Sequence, residues 1–81
     1  IADEINRGGE KIAPGEVEAA FSSHAAVSAV AAFGLPHPTL GESVAAAVVV
    51  TSGEQVSTQA LLAHAALRLA PFKLPHPIVI V

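Results

Sequence analysis

The stretch "INRGGEKIAPGEVEAAF", residues 5–21, places a glycine pair between two short segments and then opens a helix. Glu4-Ile5-Asn6 and Lys11-Ile12 flank Gly8-Gly9, and glycines supply the positive φ that a tight hairpin turn requires. A short hairpin over residues 2–12 is therefore predicted, with its glycine tip exposed. Pro14 and Glu16 suit the first turn of a helix, the proline because its missing N–H is not needed there, the glutamate because it complements the helix dipole. Val17, Ala20, Phe21 and His24 share one face of that helix. Charge is concentrated here too: Asp3, Glu4, Glu10, Glu16, Glu18, Arg7 and Lys11 all fall in the first eighteen residues, while the rest is mostly Ala, Val, Leu and Pro.

Beyond the helix, β-branched and small apolar residues from Ala26 to Gly34 predict a strand, stopped by Gly34 and Pro36-His37-Pro38. A loop to Gly41 leads into Glu42–Thr51, the clearest strand, whose unbroken apolar run through Val48-Val49-Val50 predicts burial on both faces. Ser57 is placed to cap a helix from Thr58 to about Leu69, with Leu62, Ala65, Ala66 and Leu69 as its apolar stripe. Ala70-Pro71-Phe72-Lys73-Leu74-Pro75 breaks that helix, and Ile78–Val81 reads as a last strand. The order of elements predicts an α+β fold: a short N-terminal β-hairpin followed by a small three-stranded sheet packed with two helices.

At 81 residues the chain is one small domain, a size that buries only roughly 60 to 65% of the surface of the unfolded chain. Alanine inflates the hydrophobic content of 52%, and three Phe with no Trp, Tyr or Met leave few large side chains for a core. A partner surface would add stability. The absence of cysteine excludes a disulfide framework and thiolate chemistry and fits a reducing compartment, so a cytoplasmic location is expected. A net charge of -3 with four Lys and Arg offers no basic stripe for a phosphate backbone, which argues against nucleic acid as a partner. Ala25–Phe33 and Val44–Val50 both fall short of the ~18 to 20 residues of a membrane span. No basic-then-apolar leader precedes the charged segment, so no signal peptide is expected, and the start at Ile1 suggests a piece of a longer chain.

Little in the spacing points to chemistry. His24, His37, His64 and His76 lie in four separate elements without a close pair, so no metal site is expected. Ser22, Ser23 and His24 lack the G-x-S-x-G elbow of a serine nucleophile. Gly8-Gly9 fits neither a phosphate loop nor a dinucleotide fingerprint. Two readings of that pair stay open: an ordinary turn, or backbone bared so that a ligand chain slides past closely, with Arg7 and Lys11 nearby to meet its negative charge.

The motifs themselves carry a resemblance. "INRGGEKIAPGEVE" resembles the segment that opens the small C-terminal domain of the adenylate-forming (AMP-binding) enzymes, which include acyl-CoA and aryl-CoA synthetases, carrier-protein-loading adenylation enzymes and luciferases. "SSHAAVSAVAAFGLPHPTLGESVAAAVVV" is similar to the family's S-H-P-x-V, V-F-G-x-P-D and G-E blocks, and "LRLAPFKLPHPIVIV" to its R-L-x-x-F-K-x-P segment. The resemblance runs in order over essentially all of the chain, residues 1–81. It implies a ligase in which a carboxylic acid and ATP give an acyl-adenylate and pyrophosphate, after which a thiol such as CoA displaces AMP. ATP and Mg2+ are then expected mainly on a large N-terminal adenylation domain, with this chain as the mobile lid that rotates between the two steps.

Carried onto this sequence, the resemblance implies that Gly8 and Gly9 pack against the pantetheine arm of CoA and that Glu10 and Lys11 line the thiol tunnel. It implies phosphate or interdomain contacts for Arg7 and Lys73, a structural or interdomain role for Glu16 and Glu18, and a match of Gly41-Glu42 to the G-E before the strand. The hinge position falls on Ala2. The family's L-P-K-T-x-x-G-K tail lies beyond Val81, so no catalytic residue is expected within these 81 residues, and the piece alone is expected to be inactive. Three positions depart from the pattern: His37 stands for an acid, Ala25 for a proline, and His76-Pro77 for a segment that is often basic. An aryl-acid adenylating enzyme that loads a carrier-protein phosphopantetheine, or a non-catalytic α+β interaction module, remains as an alternative.

Overall fold

The computed structural model describes residues 4–81, so Ala2 lies outside the described residues. The elements follow in the order β1 (Ile5–Arg7), β2 (Glu10–Ile12), α1 (Pro14–Ser22), β3 (Val27–His37), β4 (Gly41–Val50), α2 (Thr58–Ala66), a single 3-10 turn (Pro71–Lys73) and β5 (Ile78–Ile80). This is the predicted α+β order of hairpin, helix, two strands, helix and strand.

All five strands belong to one mixed sheet with β4 at its centre. β3 pairs antiparallel along one side of β4, from Val27↔Val50 to His37↔Gly41. The other side of β4 is shared: β1 reaches it at Arg7↔Gly41, and β5 runs parallel to it from Ala46↔Ile78 to Val48↔Ile80. The hairpin thus joins the ladder through a single bridge, is tied further by N–H bonds of Asn6 and Gly8 to Glu42 and Leu40, and buries its isoleucines, Ile5 and Ile12, in the core. Its tip is exposed, and within the stem only Ile5 and Ile12, directly opposite each other, are buried.

The strand predicted to stop at Gly34 continues to His37. The reason is its place in the sheet: β3 is an edge strand, and at an edge the missing N–H of Pro36 withdraws no ladder bond. Ser28, the polar interruption of the apolar run, occupies a register shift between Val27 and Ala29, and its Oγ donates to the Val49 carbonyl at 3.2 Å. It is the extra residue of a bulge.

Both helices cover the same face. Val17, Ala20 and Phe21 of α1 and Leu61 and Ala65 of α2 pack with Ala32, Val44 and Val48 of the sheet into one core. Burial of β4 on both faces holds only along Val44-Ala45-Ala46, and farther on Val49 is 40% exposed. With helices on one side only, the outer face is left to Phe33, Val49 and Val79, and Ala45 is buried there as the cross-strand partner of Phe33. Of the predicted α2 stripe, Ala65 and Leu69 are buried, but Leu61 takes the core position expected for Leu62, which is half-buried, and Ala66 is exposed. The regular helix ends at Ala66, and a turn brings Leu69 back to the core through its N–H bond to the Ala65 carbonyl at 2.9 Å.

Candidate functional site: the glycine turn and its surroundings

Gly8 and Gly9 form a two-residue hairpin loop with φ of +57° and +89°, the double positive φ of a type I′ turn. The turn is tied down on one side. The Gly8 N–H donates to the Leu40 carbonyl at 2.8 Å, and Asn6 Oδ1 accepts from the Gly9 N–H at 3.2 Å. A Cβ on Gly8 would lie 3.1 Å from Leu40 Cδ2, so that glycine is also needed for close packing. A Cβ on Gly9 would meet nothing within 4 Å. Gly9 therefore presents bare backbone to open space.

Arg7 pairs with Glu10 across the hairpin, and Asn6 with Lys11. Successive residues of a strand leave on opposite faces, so Arg7 and Lys11 point away from each other rather than converging on one ligand. Arg7 lines a cleft of about 300 Å3 beside the turn, together with His37, Leu40, Ser43 and His76. His37 and His76, far apart in sequence, thus share one wall. His37 Nδ1 accepts from the Leu40 and Thr39 N–H groups at 3.1 and 3.2 Å, which leaves the ring proton on Nε2 as a donor. Glu10 and Lys11 are exposed at the tip.

Lys73 is engaged elsewhere. Its Nζ donates to both carboxylate oxygens of Glu16 at 2.9 Å and lies 5.6 Å from the Phe72 ring centroid, joining the 3-10 turn to α1. Glu18 Oε2 accepts from the Ala32 N–H at 3.0 Å and so ties α1 to β3. Glu42 Oε1 accepts from the Asn6 N–H at 2.9 Å, and its carboxylate is therefore attached to the hairpin. These three glutamates act as backbone and ion-pair partners within the domain. Among the described residues, no three His, Asp or Glu side chains meet as a metal ligand set, and no helix is long and apolar enough to cross a membrane.

One pairing had no signal in the sequence. His24 and His64, forty residues apart, stack edge to face with ring centroids 4.9 Å apart. Ser23 Oγ donates to the Ala20 carbonyl at 2.9 Å and lies 2.7 Å from His64 Nε2. His64 is held below the ordinary histidine value, first by partial burial, then by the charges of Arg68 and His24. Only the packing of α2 on α1 brings these side chains together.

Against known proteins, the family model described as AMP-binding enzyme C-terminal domain matches residues 16–81. The chain is 47% identical over 75 residues to the medium-chain acyl-CoA ligase Mig of Mycobacterium avium, covering 93% of this chain and 14% of that protein. It is 44% identical over 80 residues to a salicylyl-CoA synthase / salicylate adenylyltransferase of a Streptomyces species, covering 98% and 14%. Among solved structures, Mycobacterium tuberculosis fatty acyl CoA synthetase superposes with a TM-score of 0.88 at 39% identity, over 98% of this chain and 16% of that one. The chain thus spans about one seventh of the length of the curated relatives it matches.

Proposed function

The chain belongs to the AMP-binding enzyme C-terminal domain family, and we propose that it is the mobile lid of an acid–thiol ligase. In this reading a large N-terminal adenylation domain binds the carboxylic acid, ATP and Mg2+, and the lid rotates to present the glycine turn to CoA in the second half-reaction. The protein is cytoplasmic, consistent with a chain free of cysteine. Gly8 and Gly9 are the pantetheine contacts, Glu10 and Lys11 flank the tunnel, and Ala2 is the hinge. Arg7 meets phosphate at the cleft it shares with His37 and His76. Lys73 serves as an interdomain contact whose charge is shared with Glu16.

The observation that carries this reading is the open space at Gly9: a positive-φ glycine at a tethered turn, with nothing of its own chain within reach of a side chain. The test is Gly9→Leu in the full-length ligase, with the two half-reactions measured separately. Thioester formation is expected to fall about a hundredfold, the effect of misplacing one reactant by an ångström, while acyl-adenylate formation persists. Gly53→Leu is the matched control, because Gly53 has φ of +86° and equally open surroundings but lies in the loop between β4 and α2. Equal loss of both half-reactions in Gly9→Leu, or an equal effect of Gly53→Leu, would reduce the role of Gly9 to folding.

A second reading, an aryl-acid adenylating enzyme that loads a carrier-protein phosphopantetheine, draws on the relative whose name includes salicylate adenylyltransferase. Both acceptors carry the same pantetheine arm. Transfer assays offering CoA and carrier protein side by side separate them.

A further inference from the structure

β1 and β4 share one backbone bridge, Arg7↔Gly41. One residue before it, a side chain takes over the work of the ladder: the Asn6 N–H is satisfied by Glu42 Oε1 at 2.9 Å. A hydrogen bond to an ionised carboxylate is shorter and stronger than one to a neutral carbonyl. The carboxylate is itself seated. A Cβ on Gly34 would come within 2.6 Å of Glu42 Oε2 and 2.8 Å of Glu42 Cδ, so the side chain of Glu42 lies directly on the bare backbone of the neighbouring strand. From Asn6 the connection continues, because Asn6 Oδ1 accepts from the Gly9 N–H at 3.2 Å. Gly34, Glu42, Asn6 and Gly9 thus form one chain of contacts from the edge strand of the sheet to the tip of the hairpin.

We infer that Glu42, seated on Gly34, is a positioning residue that fixes the tilt of the hairpin and with it the place of the Gly8–Gly9 turn on the thiol route. The inference rests on the reading of that turn as the pantetheine contact. Glu42 touches no reacting atom. It acts through Asn6, and it lines the larger cleft with Glu4, Glu18 and Phe33 rather than the cleft of Arg7, His37 and His76. A Cβ on Gly34 would push the carboxylate from this seat.

The experiment compares Glu42→Ala, Glu42→Gln and Gly34→Ala in the full-length ligase, reading hydrogen exchange over residues 5–9 by mass spectrometry alongside both half-reactions. Glu42→Ala is expected to speed exchange at this segment about tenfold and to lower kcat/KM for thioester formation about tenfold or more, with acyl-adenylate formation within about twofold. Glu42→Gln, which keeps a carbonyl acceptor at Oε1, is expected to recover most of both effects. Gly34→Ala, which displaces the carboxylate without removing it, is expected to reproduce Glu42→Ala. Unchanged exchange at residues 5–9, or equal loss of both half-reactions in all three variants, overturns the inference. Gly9→Leu, run in parallel, separates its failure from that of the underlying reading. Transfer sensitive to Gly9→Leu but not to Glu42→Ala overturns the role of Glu42 alone; transfer indifferent to both, with exchange still accelerated, overturns the turn reading and the catalytic part of this inference together.

Discussion

Gly8 and Gly9 look equivalent in the sequence and differ in what surrounds them. At Gly8 a side chain would be strained by φ of +57° and crowded by Leu40, so Gly8→Ala is expected to lower stability by about 1 kcal/mol or more, read by urea unfolding. Gly9 faces open space, and its replacement acts on what approaches from outside. His64 carries a different kind of prediction. With its folded-state value held below the ordinary 6.5, the unfolded chain binds more protons than the folded one between those two values, so stability rises with pH across that window. The contribution is present above the ordinary histidine value and is lost as pH falls through the lowered one. His64→Gln is expected to flatten the slope of stability against pH just below 6.5, checked by thermal unfolding at a series of pH values. The partners of His64 were invisible beforehand, since Ser23 and His24 sit at the end of another helix.

At the scale of the element, local signals located the helices well and oriented one of them only in part. Ser57 caps α2 as its hydroxyl suggests, accepting from the Ala60 N–H at 3.0 Å. The stripe is another matter. Adjacent Leu61 and Leu62 in an alanine-rich helix offer two apolar faces of nearly equal strength, and docking against α1 and the sheet selected the one through Leu61, Ala65 and Leu69. Leu61→Ala is therefore expected to cost about 2 to 5 kcal/mol, and Leu62→Ala under about 1 kcal/mol, measured by chemical denaturation. In β3 the error ran the other way: Gly34 and Pro36 break a central strand but not an edge strand, and edge position is a property of the assembled sheet.

Taken whole, the molecule has a one-sided core. Both helices lie on one face of the sheet, and the other exposes Phe33 at 41% and Val79 at 47%. A chain this small with such a face gains from a covering surface, in keeping with its share of about one seventh of its relatives' length. The ion pair that joins its C-terminal half to α1 contributes little by comparison. Lys73 and Glu16 keep 23% and 46% of their side-chain surface in water, and exposed pairs of this kind are worth about 0 to 1 kcal/mol. Lys73→Ala is thus expected to leave the melting temperature within a few degrees; a much larger loss of ligase turnover than of stability would assign the lysine to contacts outside this domain.

By itself the sequence determined the α+β class, the order of the elements, the glycine turn and the family, because turn glycines, caps and family motifs are local and are written in consecutive residues. The tertiary structure decided the rest: that Arg7 lines one cleft with His37 and His76, that Glu42 seats on Gly34 and reaches Asn6, that Lys73 turns to Glu16, and which face of α2 is buried. Each of these joins residues brought together by strand register or helix docking. Register and docking arise from the packing of the whole core, and no single stretch of the chain records them.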